Sequence, residues 1–191
     1  MTLVYKKRFL SQTRSGRQGS FHFFISPLMG GYFFALLVEK YIKRRVYMIE
    51  QDTIKLLREC DAGVKMGISS IEDVLPHTKS KALYHILKDC KTQHDQLHEK
   101  IQSRLQRFDD EGKNPNLIAK SMSTMKTTFK LGLNETDATI ASLMTDGCNM
   151  GVKSLNRYLN QYGAAEEYTK DMAKRLIHLE EQLATDLRGY L

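Results

Sequence analysis

Tryptophan is absent from the 191 residues, and proline is confined to Pro27, Pro76 and Pro115. No run alternates Val, Ile or Thr with polar residues between turn signals, so nothing here builds a sheet. Cys60, Cys90 and Cys148 are odd in number, far apart and without a Cys-x-x-Cys pair. A disulfide framework is therefore not expected, and a reducing, cytoplasmic setting is. There is no glycine-rich phosphate loop and no Ser-His-Asp or Cys-His order from which to derive nucleophilic catalysis. The length suffices for one domain with a real core.

The formal charge of +7 suggests a nucleic-acid or membrane partner, but it is unevenly distributed. Residues 1–47 hold nine Lys/Arg against the single acid Glu39, a net of +8. Residues 48–191 hold twenty Lys/Arg and twenty-one Asp/Glu, a net of −1. Without a basic surface on the folded part, no nucleic-acid partner is expected.

Residues 1–47 also carry ten of the seventeen aromatics, and Phe21–Val38 lacks any Asp, Glu, Lys or Arg. That stretch is about long enough to span a bilayer. Basic residues lie on both sides of it, Lys6, Lys7, Arg8, Arg14 and Arg17 before and Lys40, Lys43, Arg44 and Arg45 after, which leaves its orientation poorly specified. No small-x-small cleavage site marks a signal peptide. A second reading starts from Arg44-Arg45-Val46-Tyr47-Met48. Codons AGG-AGG would encode the arginines, AGGAGG is a bacterial ribosome-binding sequence, and Val-Tyr leaves six nucleotides before the Met48 codon. Translation is therefore expected to start at Met48, with residues 1–47 an over-extended reading frame. The alternative is a membrane anchor through residues 21–38.

From Met48 the periodicity is helical throughout. Ile54, Leu57, Asp61, Val64, Ile68, Ile71 and Leu75 recur at spacings of three and four, predicting a helix from Asp52, its N-cap, to Leu75, stopped by Pro76. Ser80 caps a second helix whose face is Leu83, Leu87, Cys90, His94, Leu97, Ile101, Leu105 and Phe108. The polar run 109–116 breaks it. A short amphipathic basic segment, 117–131, carries Met122, Met125 and Phe129 with Lys120, Lys126 and Lys130. A third long helix is expected from about Asn134 to Tyr162, with Ile140, Leu143, Met150, Leu155, Tyr158 and Leu159 inward and Gly163 as its end. The last runs from Ala165 to Arg188, with Met172, Leu176, Leu179, Leu183 and Leu187 on one face. Two short connections flank one long one, which is the layout of an all-α four-helix bundle with a single crossover, as in ferritin-like folds.

The first and third helices both contain Cys-x-x-Gly-Val-Lys, at Cys60 and Cys148, and the second and fourth contain His94 and His178. This order reads as a duplicated antiparallel hairpin. From Met48 to Leu191 the chain resembles an uncharacterised ferritin-like family of bacterial proteins. The resemblance rests on Leu57 to Gly63, on Asn116-Leu117-Ile118-Ala119-Lys120 and on Asp146 to Leu155. It implies a bundle able to hold two iron ions, for which such proteins use a Glu on each of two helices and Glu-x-x-His on the others. Here Val64 and Val152 stand where the single Glu is expected, and Lys91 and Arg175 stand three residues before His94 and His178. Val cannot ligate, and a cation beside an imidazole disfavours a second cation.

The expectation is thus a non-catalytic bundle of unknown physiological role, with no cofactor, acting through self-association (a homo-oligomer) or a protein partner. The alternative is an iron- or zinc-binding protein with a rearranged ligand set, Asp61, Cys90, His94 and His178. Cys90, His94 and His98 are one helical turn apart, as metal ligands often are, although a hydrogen-bonded core His94 is the commoner outcome. Asp61 on an apolar face needs a partner, with His94, Lys65 or Lys153 in reach. The cysteines read as small core residues. The segment 117–131 packs on its own bundle by default, while a partner helix or a membrane surface also suits its character. Asn156 to Tyr162 is either an oligomer contact or a solvated helix end.

Overall fold

The computed structural model describes residues 27–112 and 136–191, with side chains from Phe34 onward. Contacts divide the chain into two units, Met1–Tyr41 and Ile42–Leu191. All regular structure among the described residues is helical. Among the described residues there are four long helices, α1 (Pro27–Val74), α2 (Lys81–Gln106), α3 (Asp137–Gln161) and α4 (Glu167–Asp186); a short 3-10 turn at Leu75–His77 lies between α1 and α2, and another at Leu187–Tyr190 follows α4. The expected segment 117–131 lies outside the described residues, as does the part of Phe21–Val38 before Pro27. Among the described residues no helix is long and apolar enough to cross a membrane.

Three expected boundaries shift, each for a local reason. The first helix does not begin at Asp52 but opens on Pro27, where the missing N–H costs nothing. Asp52 lies inside the helix, and its carboxylate instead accepts the Ala164 N–H at 3.1 Å, while Thr53 Oγ1 accepts that of Glu166 at 2.9 Å. A residue suited to capping its own helix thus serves the α3–α4 connection. Ser80 caps α2 as expected, accepting from Leu83 N at 3.3 Å. Asp137 adds a second restraint there, since its carboxylate takes the N–H groups of Lys79 (2.8 Å) and Ser80 (2.9 Å). An anion at a helix N-terminus is favourable. The third helix begins at Asp137, three residues after Asn134, capped by Thr136 Oγ1 on Thr139 N at 3.1 Å. The fourth starts at Glu167 and tightens to a 3-10 turn from Leu187.

The buried side chains fall into two apolar clusters along the bundle of the second unit. One joins Leu56, Leu57, Cys60 and Val64 to Leu97, Ile101 and Leu105, Leu155, and Met172, Ala173, Leu176 and Ile177. The other joins Ile71 and Val74 to Leu83, Leu87 and Cys90, Ile140, Ala141, Met144 and Cys148, and Leu183 and Leu187. This sorting fixes the direction of every helix. The first and fourth run from the first cluster to the second, and the second and third run the opposite way. Leu105 and Ile140 therefore lie in different clusters, so α2 ends and α3 begins at opposite ends of the bundle.

Burial also repeats along the chain. Leu83, Leu87, Cys90, His94, Leu97 and Ile101 are buried, and so are the residues 86 positions later: Thr169, Ala173, Leu176, Glu180, Leu183 and Leu187. On α3 the buried face is Ile140, Ala141, Met144, Cys148 and Leu155. Met150, expected inward, is 71 % exposed. It stands two residues, or about 200°, from Cys148 on the helix, and so on the far side.

Candidate functional site

Between the two apolar clusters lies a layer of polar and ligand-type side chains. α2 contributes Cys90 and His94, one turn apart; α3 contributes Cys148; α4 contributes Glu180. His94 is 1 % exposed, Cys148 2 % and Glu180 9 %. His94 Nδ1 donates to the Cys90 carbonyl at 3.0 Å, with Cys90 Sγ 3.5 Å from the same nitrogen. Nε2 faces Glu180 Oε1 at 3.4 Å. The Cys148 thiol lies beside Glu180, whose charge acts on it.

One glycine makes room for this layer. A Cβ on Gly67 of α1 would stand 2.9 Å from both Cδ2 and Nε2 of His94. The imidazole therefore takes its place only because α1 lacks a side chain at this point. A Cβ on Gly151 of α3 would lie 3.4 Å from the Glu180 carboxyl carbon, an ordinary contact.

Both ring nitrogens of His94 face acceptors, so both carry hydrogens when Glu180 is ionised. Burial pulls the imidazole toward its neutral form, but the bonds to Cys90 and Glu180 outweigh it and raise the pKa to about 10. The result is a buried imidazolium–carboxylate pair. Burial pushes the Cys148 thiol far up, and neighbouring Glu180 adds to it. Burial, with Glu59 and Asp61 beside it, pushes Cys60 up to about 12. Neither is a nucleophile at neutral pH.

The four expected ligands go to three places. Cys90 and His94 come together as the spacing implied. Asp61 is fully buried but sits about a turn away, where Lys65 Nζ (2.7 Å) and Gln102 Nε2 (2.5 Å) donate to it and His98 Nε2 lies at 3.3 Å. Of the partners expected for it, Lys65 is present, and His94 faces Glu180 instead. Antiparallel α2 brings residues 98–102, not 94, level with Asp61. The loop after α2 closes over this carboxylate: Gly112 has φ +85°, and a Cβ there would be 2.4 Å from Asp61 Oδ2. Asp110 holds that loop to Arg58 by a bidentate pair of 2.6–3.0 Å.

His178 is exposed, beside Lys174, Arg175, Gln93 and Gln96 in an open groove between α2 and α4. It is two residues from Glu180 and hence on the opposite side of α4. Glu180, not His178, is the counterpart of His94. Its signal was present in the sequence, because Leu176, Glu180, Leu183 and Leu187 share the spacing that made Asp61 stand out. Among the described residues no three His, Cys, Asp or Glu side chains stand arranged as a metal-holding group.

No family model, curated protein or solved structure matches the chain.

Proposed function

We propose that residues 48–191 form a ferritin-like bundle of two related hairpins that is not a catalyst and works by binding, through self-association or a protein partner. The helix directions support the scaffold: up, down, down, up, with the one long connection between α2 and α3. The 86-residue repeat of burial supports the duplication. The observation that carries the non-catalytic reading is that the polar layer is closed on itself. His94, Glu180, Cys90 and Cys148 are buried together, and both ring nitrogens of His94 are spent on Cys90 and Glu180, leaving the surface to make contacts. Sedimentation velocity across a concentration series, with cross-linking, tests it. Cross-links on residues 49–191 to a second copy or a partner support the reading; a monomer without them counts against it.

A second reading, metal binding by iron or zinc, is favoured by one distance. The 3.4 Å between His94 Nε2 and Glu180 Oε1 is long for a charged hydrogen bond and near the roughly 3.3 Å that separates two ligands on a tetrahedral ion. The Nδ1–H bond to the Cys90 carbonyl is the support that ligating imidazoles ordinarily have. In this reading an ion replaces the proton between His94 and Glu180, with Cys148 or Cys90 completing the set. Cobalt(II) tests it through a thiolate charge-transfer band that Cys148→Ser and Cys90→Ser weaken. Absence of any band excludes thiolate ligation.

A further inference from the structure

Residues 34–48 of α1 bury almost nothing. Phe34 is 70 % exposed, Leu37 52 %, Tyr41 66 % and Ile42 54 %, and Leu36, Val38, Val46, Tyr47 and Met48 are exposed as well. Nine large apolar residues within fifteen positions exceed the scattered apolar exposure normal for a surface. Six of them are ordered. At about 100° per residue, Phe34, Leu37, Val38, Tyr41, Ile42 and Met48 share one side of the helix, while Leu36, Val46 and Tyr47 lie on the other with Glu39, Lys40 and Lys43. Arg44 flanks the stripe. Arg45 falls within it, and a long aliphatic stem lets an arginine there carry its guanidinium to the polar boundary.

We infer that residues 34–48 of α1 dock on an anionic lipid surface. Charge selects this occupant. Lys40, Lys43, Arg44 and Arg45 face a single acid, Glu39, over the segment, so a second copy laid on it would bring cations against cations. Anionic headgroups balance them, and the apolar stripe enters the acyl boundary. An apolar face with basic residues around it is the feature of a helix lying in the interface plane. Such binding does not require a span, and the inference goes beyond the binding role proposed for the bundle.

Co-sedimentation of the full chain with phosphatidylcholine vesicles, with and without phosphatidylglycerol, tests it. The expected result is binding roughly a hundredfold tighter to the anionic vesicles, from three net basic charges, weakening as salt rises. Lys40→Glu with Arg44→Glu removes the preference for anionic lipid. Leu37→Asp with Ile42→Asp removes binding altogether. All four positions are exposed, and circular dichroism checks that the helices persist. The inference is overturned by no binding to either vesicle, or by binding that survives both pairs of substitutions. A solution dimer that Leu37→Asp dissociates, with no vesicle binding, makes the occupant a second copy and overturns it. So does a native intact mass that begins at Met48. None of these results touches cross-links on residues 49–191, so this inference and the bundle's binding role fail separately.

Discussion

His94 and Glu180 occupy the same place in the two halves of the chain, 86 residues apart, and meet each other at 3.4 Å. Each follows a buried residue by four positions and precedes another by three, Cys90 and Leu97 in one case, Leu176 and Leu183 in the other. Two like charges at these positions would repel one another, whereas an imidazole against a carboxylate is a pair that a buried central position tolerates.

Breaking that pair is costly. His94→Ala leaves a buried carboxylate without its cation, and is expected to destabilise the fold by about 3–5 kcal/mol. Urea unfolding measures it, and a double-mutant cycle with Glu180→Gln isolates the coupling.

The pair also makes stability depend on pH. The folded His94 pKa, about 10, lies above its ordinary value of 6.5. Its contribution is thus fully present below about pH 6.5 and is lost as pH rises through about 10. The urea midpoint of the metal-free chain should fall from pH 7 to pH 10, and His94→Gln should flatten that slope.

Two glycine substitutions have opposite expected signs. Gly67→Ala places a methyl group 2.9 Å from the His94 ring and should cost about 1–3 kcal/mol, despite alanine's better helix propensity. Gly147→Ala on exposed α3 meets nothing within 4 Å and should stabilise by about 0.5–1 kcal/mol. Thermal melts of the two variants decide both.

Thiol reactivity gives a simple reading of the core. All three cysteines are buried, and burial raises the pKa of Cys60 and Cys148. Ellman's reagent should find no thiol in the native chain at pH 8 and three in guanidinium. Native reactivity would mean that the polar layer opens readily.

Capping by Asp137 should be measurable too. Replacing it with Ala removes acceptors for the Lys79 and Ser80 N–H groups and should cost about 1 kcal/mol.

Much of this was legible in the sequence because helical periodicity is a local property. Four long helices, the Ser80 cap and the inward faces of α2 and α4 follow from spacings of three and four alone. What was not legible depends on register between helices. Asp52 looked like an N-cap because its neighbourhood permits one; only the approach of Ala164 shows what it holds. Matching His94 to His178 relied on residue identity, whereas the fold pairs positions by phase and puts Glu180 opposite. Met150 failed for the same reason, as a single apolar residue out of phase with its helix.

The sorting of apolar side chains into two clusters bears on how the chain folds. Each cluster takes residues from all four helices, so neither hairpin owns a core of its own. A first hairpin made alone would expose the faces of Leu57, Val64, Leu97 and Ile101 that α4 covers. Contacts such as Asp52 with Ala164 and Thr53 with Glu166 close loops of more than a hundred residues, which raises contact order and slows folding. However alike the two halves are as sequences, they dry their interiors only together.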